Sequence, residues 1–307
     1  MTAPAVPTNV IAPRRSVYRH LVELWAYREL LGNLVRKELK VKYKNSGLGF
    51  VWSLLNPAMY IVVFTIVFQV VLKAGIPSFP IFLLSGLLAW NLFGISLGGA
   101  TGSITNNHTL VNKVYFPREI LPLAAVGANC VHFVLQATVL IGAIAVVPGV
   151  SFDLRWLWLV FPALAVVLIF TAALGIFLSA INVYARDTQH LLELALLAWQ
   201  WSTPMMYPWR LPAQKLQEHG ISPGFLLLNP MTSIVTTLQR ALYGQHYQYE
   251  DVKVKGKLIH RALPLLPTEG QWWFVRNLAV TGAASVVLFI IAMRIFSRLE
   301  GNFAEEM

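Results

Sequence analysis

Apolar positions in this chain fall in long unbroken runs, not in the short alternations of half-solvated strands and helices. The first run covers residues 50–72 without a charge. A second uncharged stretch lies between Lys73 and Lys113 and is most apolar over 81–97. Further runs cover 120–147, 156–184, 191–207 and 277–295. A bilayer core is crossed by about 20 apolar residues in a helix. The pattern therefore predicts an all-α polytopic membrane protein with six transmembrane helices.

Between and before the runs the pattern changes. Leu24, Tyr27, Leu31, Leu34 and Val35 recur at helical spacing, with Arg28, Arg36, Lys37 and Lys40 among them. That spacing predicts an N-terminal basic amphipathic helix over 20–46 on the cytoplasmic membrane surface. Such a helix either anchors in lipid headgroups or docks on a cytosolic partner and gates the lower pore. In the second reading Arg36, Lys37, Lys40 and Tyr43 are the gate and interface residues. Residues 1–19 read as a cytoplasmic tail whose polar, proline-rich start lacks the apolar core of a cleavable signal. Spans one to five occupy 50–207, an external region 208–273, and span six 274–298, all within one transmembrane domain. Within the external region, 225–239 is moderately apolar but interrupted by Asn229-Pro230, predicting a re-entrant or interfacial helix. The polar stretch 245–261 reads as a small external elaboration.

Composition agrees with the pattern. Of 307 residues, 56% are hydrophobic and 12% charged, with mean hydropathy +0.60. A soluble domain carries roughly 25% charge. The net charge of +10 would suit nucleic acid only if it formed a stripe on a folded surface. Instead the basic residues cluster before and between apolar runs, which favours membrane orientation and argues against a nucleic-acid partner. Arg14, Arg15, Arg19, Arg28, Arg36, Lys37, Lys40, Lys42 and Lys44 precede span one, and Lys113, Arg118, Arg186, Arg294 and Arg298 fall on the same side of a six-span chain. Both termini are thus placed in the cytoplasm. The eight basic residues over 208–276, Lys253, Lys255 and Lys257 among them, pull the other way, but the rule weakens for long loops.

Several chemistries have no residues to support them. The single cysteine, Cys130, allows no internal disulfide and no cysteine-cluster metal site. No G-x-x-x-x-G-K-[ST] phosphate loop occurs: Gly256-Lys257 is followed by Leu258. The acidic residues lie outside the span centres, so no ion-coupling relay is evident. His132 lies inside a span, as a packed side chain or a proton relay. Uphill transport would need energy from another polypeptide.

Four segments, taken in order, carry a family resemblance: Tyr43-Lys44-Asn45-Ser46-Gly47-Leu48-Gly49-Phe50-Val51-Trp52-Ser53-Leu54-Leu55-Asn56-Pro57; Leu84-Ser85-Gly86-Leu87-Leu88-Ala89-Trp90 leading through Ser103-Ile104 to Leu110-Val111-Asn112-Lys113-Val114-Tyr115-Phe116-Pro117-Arg118-Glu119; Arg186-Asp187 with Thr203-Pro204-Met205-Met206-Tyr207-Pro208; and Asn229-Pro230-Met231-Thr232. The set resembles the permease subunit of ABC-2 type exporters of lipid-linked polysaccharides, the group that exports O-antigens, wall teichoic acids and cell-wall galactan. The resemblance covers about residues 34–295; the stretch 245–267 departs from the compact outer loop of that family.

The resemblance implies a non-enzymatic transport subunit in the bacterial cytoplasmic membrane. It implies a homodimer of six-span subunits with two copies of a cytosolic ABC ATPase that binds ATP and magnesium, no cofactor being bound by this chain. The cargo would be a polyprenyl-diphosphate-linked polysaccharide, with a leaning toward galactan; a small-molecule or drug exporter of the same superfamily is the alternative. An ion-coupled flippase or a membrane glycosyltransferase would need intramembrane or paired acids that are not evident.

Residues 103–116 turn from polar to alternating apolar, as an ordinary loop or as a short coupling helix seated in the ATPase. The family implies the latter, with Asn107, Leu110, Lys113, Val114 and Phe116 as ATPase-coupling residues and Pro117 at the start of span three. Arg186 and Asp187 form either a local ion pair or helix-end charge match, or a second ATPase contact. Among the aromatics, Tyr60, Trp90, Phe93, Trp199 and Trp201 lie inside spans, as packing or as conduit residues whose faces meet sugar C–H surfaces. Asn56-Pro57, Thr203-Pro204 and Asn229-Pro230 are predicted kinks, with or without a gating role.

Overall fold

The computed structural model describes residues 17–44, 47, 51–147, 149, 153–254 and 257–306. Residues 1–16 of the expected 1–19 tail, with Arg14 and Arg15, the motif residues 45, 46 and 48–50, and Lys255 lie outside the described residues, while 17–19 are helical and not tail. Two helices come first, α1 (Val17–Ala26) and α2 (Arg28–Tyr43), separated at Tyr27. The expected single amphipathic helix is thus two. Next, α3 (Trp52–Thr65) continues into six residues of π-helix, Ile66–Val71. Then come α4 (Phe79–Asn106), α5 (His108–Lys113), α6 (Ile120–Val146), α7 (Leu154–Leu157), α8 (Val160–Tyr184), α9 (Thr188–Ser202), α10 (Arg210–Glu218), a 3-10 turn (Pro223–Leu228) and α11 (Pro230–Leu242). A hairpin of β1 (Tyr247–Val254) and β2 (Lys257–Pro264) precedes α12 (Gln271–Leu299) and α13 (Phe303–Glu306).

Four helical stretches among the described residues are long and apolar enough to cross a membrane: Phe79–Asn106, Ile120–Val146, Leu154–Tyr184 and Gln271–Asn302. These match expected spans two, three, four and six. The other two are shorter. The apolar part of α3 and its π segment is Pro57–Val71, and α9 has 15 residues. At about 1.5 Å rise per residue, α9 covers roughly 22 Å, less than the roughly 30 Å hydrocarbon thickness.

The hairpin modifies the expected all-α architecture. Tyr247 pairs with Pro264 and Val254 with Lys257 in a regular antiparallel ladder. Its root is stapled to the loop after α3: the Gln248 amide donates to Ala74 O and accepts from Arg210. Beside it, the Tyr243 hydroxyl donates to Pro77 O at 2.5 Å.

At this hairpin end α11 is buried among the long helices, not laid along a surface. Ile234, Val235, Leu238 and Tyr243 join Phe82, Leu83, Leu87, Phe93, Val167 and Phe170 in the larger apolar core. Gln239 is fully buried and its Nε2 donates to Phe82 O and Met205 O, tying α11 to α4 and to the turn after α9. The approach is so close that a Cβ on Gly86 would meet Met205 Cβ at 2.8 Å and Gln239 Nε2 at 2.9 Å. Small residues allow such contact where lipid supplies no hydrophobic drive between helices.

A second core lies at the opposite end, where α5 is. Leu34, Ile104, Val111, Phe116, Ile120, Leu121, Ile176, Val183, Met293, Phe296 and Phe303 pack together there. Glu119 precedes α6, and Pro117 stands outside the helix. The expectation that Pro117 opens span three is corrected by three residues: 117–119 form the turn, with Ile120 N donating to Pro117 O. The amphipathic helix also differs from a rod lying flat. α2 packs along α6, and a Cβ on Gly127 would meet Val35 Cγ2 at 2.9 Å.

Candidate functional site

Two short connections form the α5 end. The first runs from Asn107 to Pro117. Asn107 caps both α4 and α5, with φ −115° and ψ 26°, and its Nδ2 donates to Ser103 O at 2.8 Å. In the segment that follows, Leu110 is half-buried, Val111 and Phe116 are buried, and Asn112, Lys113, Val114 and Tyr115 are exposed. Phe116 therefore pins the connection to the bundle, while Lys113 and Val114 face outward. Tyr115, which the sequence reading passed over, is 82% exposed. Its neighbour Phe116 absorbs the apolar signal, and periodicity alone does not say which of the two faces out.

The second connection, between α8 and α9, carries Arg186 and Asp187, both exposed. Neither side chain makes an ion pair or hydrogen bond with another described residue, so the local ion pair considered above does not form. The two connections meet around a half-open cavity of about 380 Å³ lined by Thr105, Asn106, His108, Asn182, Arg186 and Gln189. Thr105 organises its wall: its carbonyl bonds His108 Nδ1 and its hydroxyl accepts from Asn182 Nδ2, both at 3.3 Å.

Beside these connections lies α2. Arg36, Lys37 and Lys40 are exposed, and the side chain of Tyr43 lies outside the described residues. Lys37 reaches across to the first connection and donates to Asn107 Oδ1. The structure thus joins two sets of residues that the sequence reading kept apart.

The five span aromatics separate into two groups. Trp90 and Phe93 are buried, and Phe93 meets Trp199 at 5.1 Å and Phe170 at 5.5 Å between ring centroids. Trp199 donates its indole Nε1 to Asn229 Oδ1 at 2.7 Å. These three rings, with Phe170, pack against one another within the chain. The other group lines a face. Tyr60 stacks on Phe64 (5.7 Å, 3°), Phe64 meets Phe68 at 6.1 Å, and exposed Trp201 stands 6.1 Å from Phe64. Phe64 and Phe68 were missed, although their four-residue spacing from Tyr60 marks one helix face. Around this ladder α3 exposes Met59, Val62 and Val63, its π segment Ile66 and Val67, and α9 exposes Leu191, Leu194 and Leu197.

Asn229 serves three neighbours at once. Its Oδ1 accepts from Trp199 and from Met231 N at 3.0 Å, capping α11, and its Nδ2 donates to Thr203 Oγ1 at 3.0 Å. That triple role accounts for Thr203 and Asn229 belonging to the same motif set. No cluster of three or more histidine, cysteine or acidic side chains suited to a metal occurs among the described residues.

Four helical stretches long and apolar enough to cross a membrane define the class as a multi-pass membrane protein. Comparison with known proteins makes the class specific. Residues 29–243 match the ABC-2 type transporter family, and the chain belongs to it. It is 35% identical over 288 residues to the O-antigen export system permease protein RfbA of Myxococcus xanthus, covering 93% of this chain and 98% of that one. The Klebsiella pneumoniae protein of the same name is 27% identical, over 90% of this chain and 94% of its own length. The polysialic acid transport protein KpsM of Escherichia coli is 21% identical, over 68% and 79% respectively.

Proposed function

We propose that this chain is the membrane-spanning permease subunit of an ATP-driven exporter of polyprenyl-diphosphate-linked polysaccharide. The observation that carries the reading is the end-to-end likeness to an O-antigen export permease, 35% identity across 93% of this chain. Two copies of the chain act with two copies of a separate ATPase that binds ATP and magnesium. The α5 end faces the cytoplasm, as do both termini, and the short α3 and α9 complete six spans. The basic residues of α2, with Lys113, Arg118 and Arg186, support that orientation.

The geometry supports a division of labour. Asn112 to Tyr115 and the pair Arg186 and Asp187 present the ATPase-facing surface. The face bearing Tyr60, Phe64 and Trp201 is unmatched within one subunit. A second copy around a two-fold axis would oppose it and frame a conduit. Aromatic faces contact sugar C–H surfaces without demanding a sequence of sugars, which suits a sliding polymer.

Depletion of the chain in its own cell tests the reading. The expected outcome is lipid-linked glycan accumulating on the inner leaflet, with none reaching the surface. Undisturbed surface glycan, with small amphiphiles retained instead, would transfer the function to small-molecule export.

A further inference from the structure

Lys37 and Asn107 lie 70 positions apart on two elements with separate expected roles, yet the Lys37 ammonium donates to Asn107 Oδ1 at 2.5 Å. Asn107 is the one residue between α4 and α5, outside helical geometry, with its other amide atom fixed on Ser103 O. It is therefore the pivot about which α5 would turn. One helical turn before Lys37, Leu34 is buried beside Ile104 and Val111, on either side of that pivot. Arg36 and Lys40, the neighbouring basic residues of α2, make no hydrogen bond or ion pair with any described residue. Among these three cations, Lys37 alone bonds a described residue.

We propose that Lys37 and Asn107 form a strap that imposes the displacement of the α4–α5 pivot on α2, making them positioning residues for transport. The proposal rests on the exporter reading and adds to it a path from the ATPase-facing connection to the amphipathic helix. Leu34 supplies an apolar peg that lets α2 roll, and the strap fixes its direction. α2 in turn bears on α6 through Val35 and Gly127, so a shift at Asn107 reaches a membrane span without passing through α4. The bond is exposed, so its loss weakens the linkage without unfolding either helix.

The test uses the full permease–ATPase complex in proteoliposomes, reading polyprenyl-diphosphate-linked glycan moved per ATP hydrolysed. Lys37→Ala is expected to lower that ratio roughly two- to ten-fold, the range set by the net strength of one hydrogen bond. Asn107→Asp keeps the acceptor for Lys37 but loses the donor to Ser103, so it retains the ratio if the strap matters and loses it if only the α4–α5 corner matters. In a Cys130→Ser background, Lys37→Cys with Asn107→Cys is expected to be uncoupled, and a short bifunctional maleimide joining the two is expected to restore the ratio. The strap is overturned if Lys37→Ala leaves the ratio unchanged, if Asn107→Asp loses it, or if the cross-link arrests transport. A wild-type complex that moves no glycan would instead remove the exporter reading on which the strap stands.

Discussion

Replacing Asn229 by alanine separates three bonded neighbours in one step. Its Oδ1 caps α11 through Met231 N and holds the Trp199 indole, while its Nδ2 meets Thr203 Oγ1. Loss of a helix N-cap costs about 1 kcal/mol. The half-buried Trp199 Nε1 then lacks an acceptor, adding about 1–3 kcal/mol for a stranded donor. Thr203 still donates to Trp199 O at 2.9 Å, so its hydroxyl loses only an incoming bond. The expected total is roughly 2–4 kcal/mol. Asn229→Asp keeps both acceptor roles, and its charge is favoured at a helix N-terminus, so it should lose distinctly less. Detergent-driven unfolding in mixed micelles, followed by circular dichroism, measures both variants. The reasoning is refuted if alanine costs under about 0.5 kcal/mol, the range of an ordinary surface change, or if aspartate costs as much as alanine.

Three further outcomes follow from the same geometry. Phe116→Ala removes a buried ring from the second core and should destabilise by about 3–5 kcal/mol, whereas Tyr115→Ala should stay within about 0.5 kcal/mol while weakening ATPase co-purification; equal effects of the two would reverse their assigned directions. Tyr60→Leu with Trp201→Leu should preserve folding and reduce glycan transport in proteoliposomes, whereas Phe93→Ala should reduce stability by about 3–5 kcal/mol. Undiminished transport in the first pair would remove the ladder from the conduit. Gly127→Val brings branched carbons into Val35 Cγ2, already 2.9 Å from a Cβ at that position; α2 should then become more accessible to limited proteolysis, and unchanged protection would contradict its packing along α6.

Much of the architecture is written in the hydropathy pattern because lipid forbids exposed backbone polar groups and demands continuous apolar helices. The helices α4, α6, α8 and α12 follow from that constraint directly. Where other physics intervenes, the pattern is weaker. α3 gives way to a π-turn before Lys73, whose φ of +48° closes the helix. α9 stops at Ser202, where Thr203 turns extended ahead of Pro204, five residues before the apolar run ends. The strand β1 is written as a period-two alternation in Tyr247-Gln248-Tyr249-Glu250, but polar residues outside a membrane run read only as a small external elaboration.

The site was legible by element more than by residue. The connection after α4 and the Arg186-Asp187 pair could be found from their place between spans. Whether Phe116 points into the bundle or toward a partner depends on tertiary packing against Ile104 and Ile120, which spacing along the chain does not encode. The same holds for the aromatics: Phe93 and Tyr60 carry equal sequence signals, and only the burial of α4 against α6 and α8 separates them. The contact between Lys37 and Asn107 spans two elements, and no local pattern announces it.

The central claim is tested most directly by reconstituting this chain with its ATPase in proteoliposomes loaded on the outer face with polyprenyl-diphosphate-linked glycan and supplied with ATP and magnesium. The account predicts glycan moved into the lumen only when ATP is hydrolysed, by a complex with two copies of each subunit. Movement that ignores ATP, or ATP hydrolysis that responds to small amphiphiles and leaves the glycan behind, would contradict it.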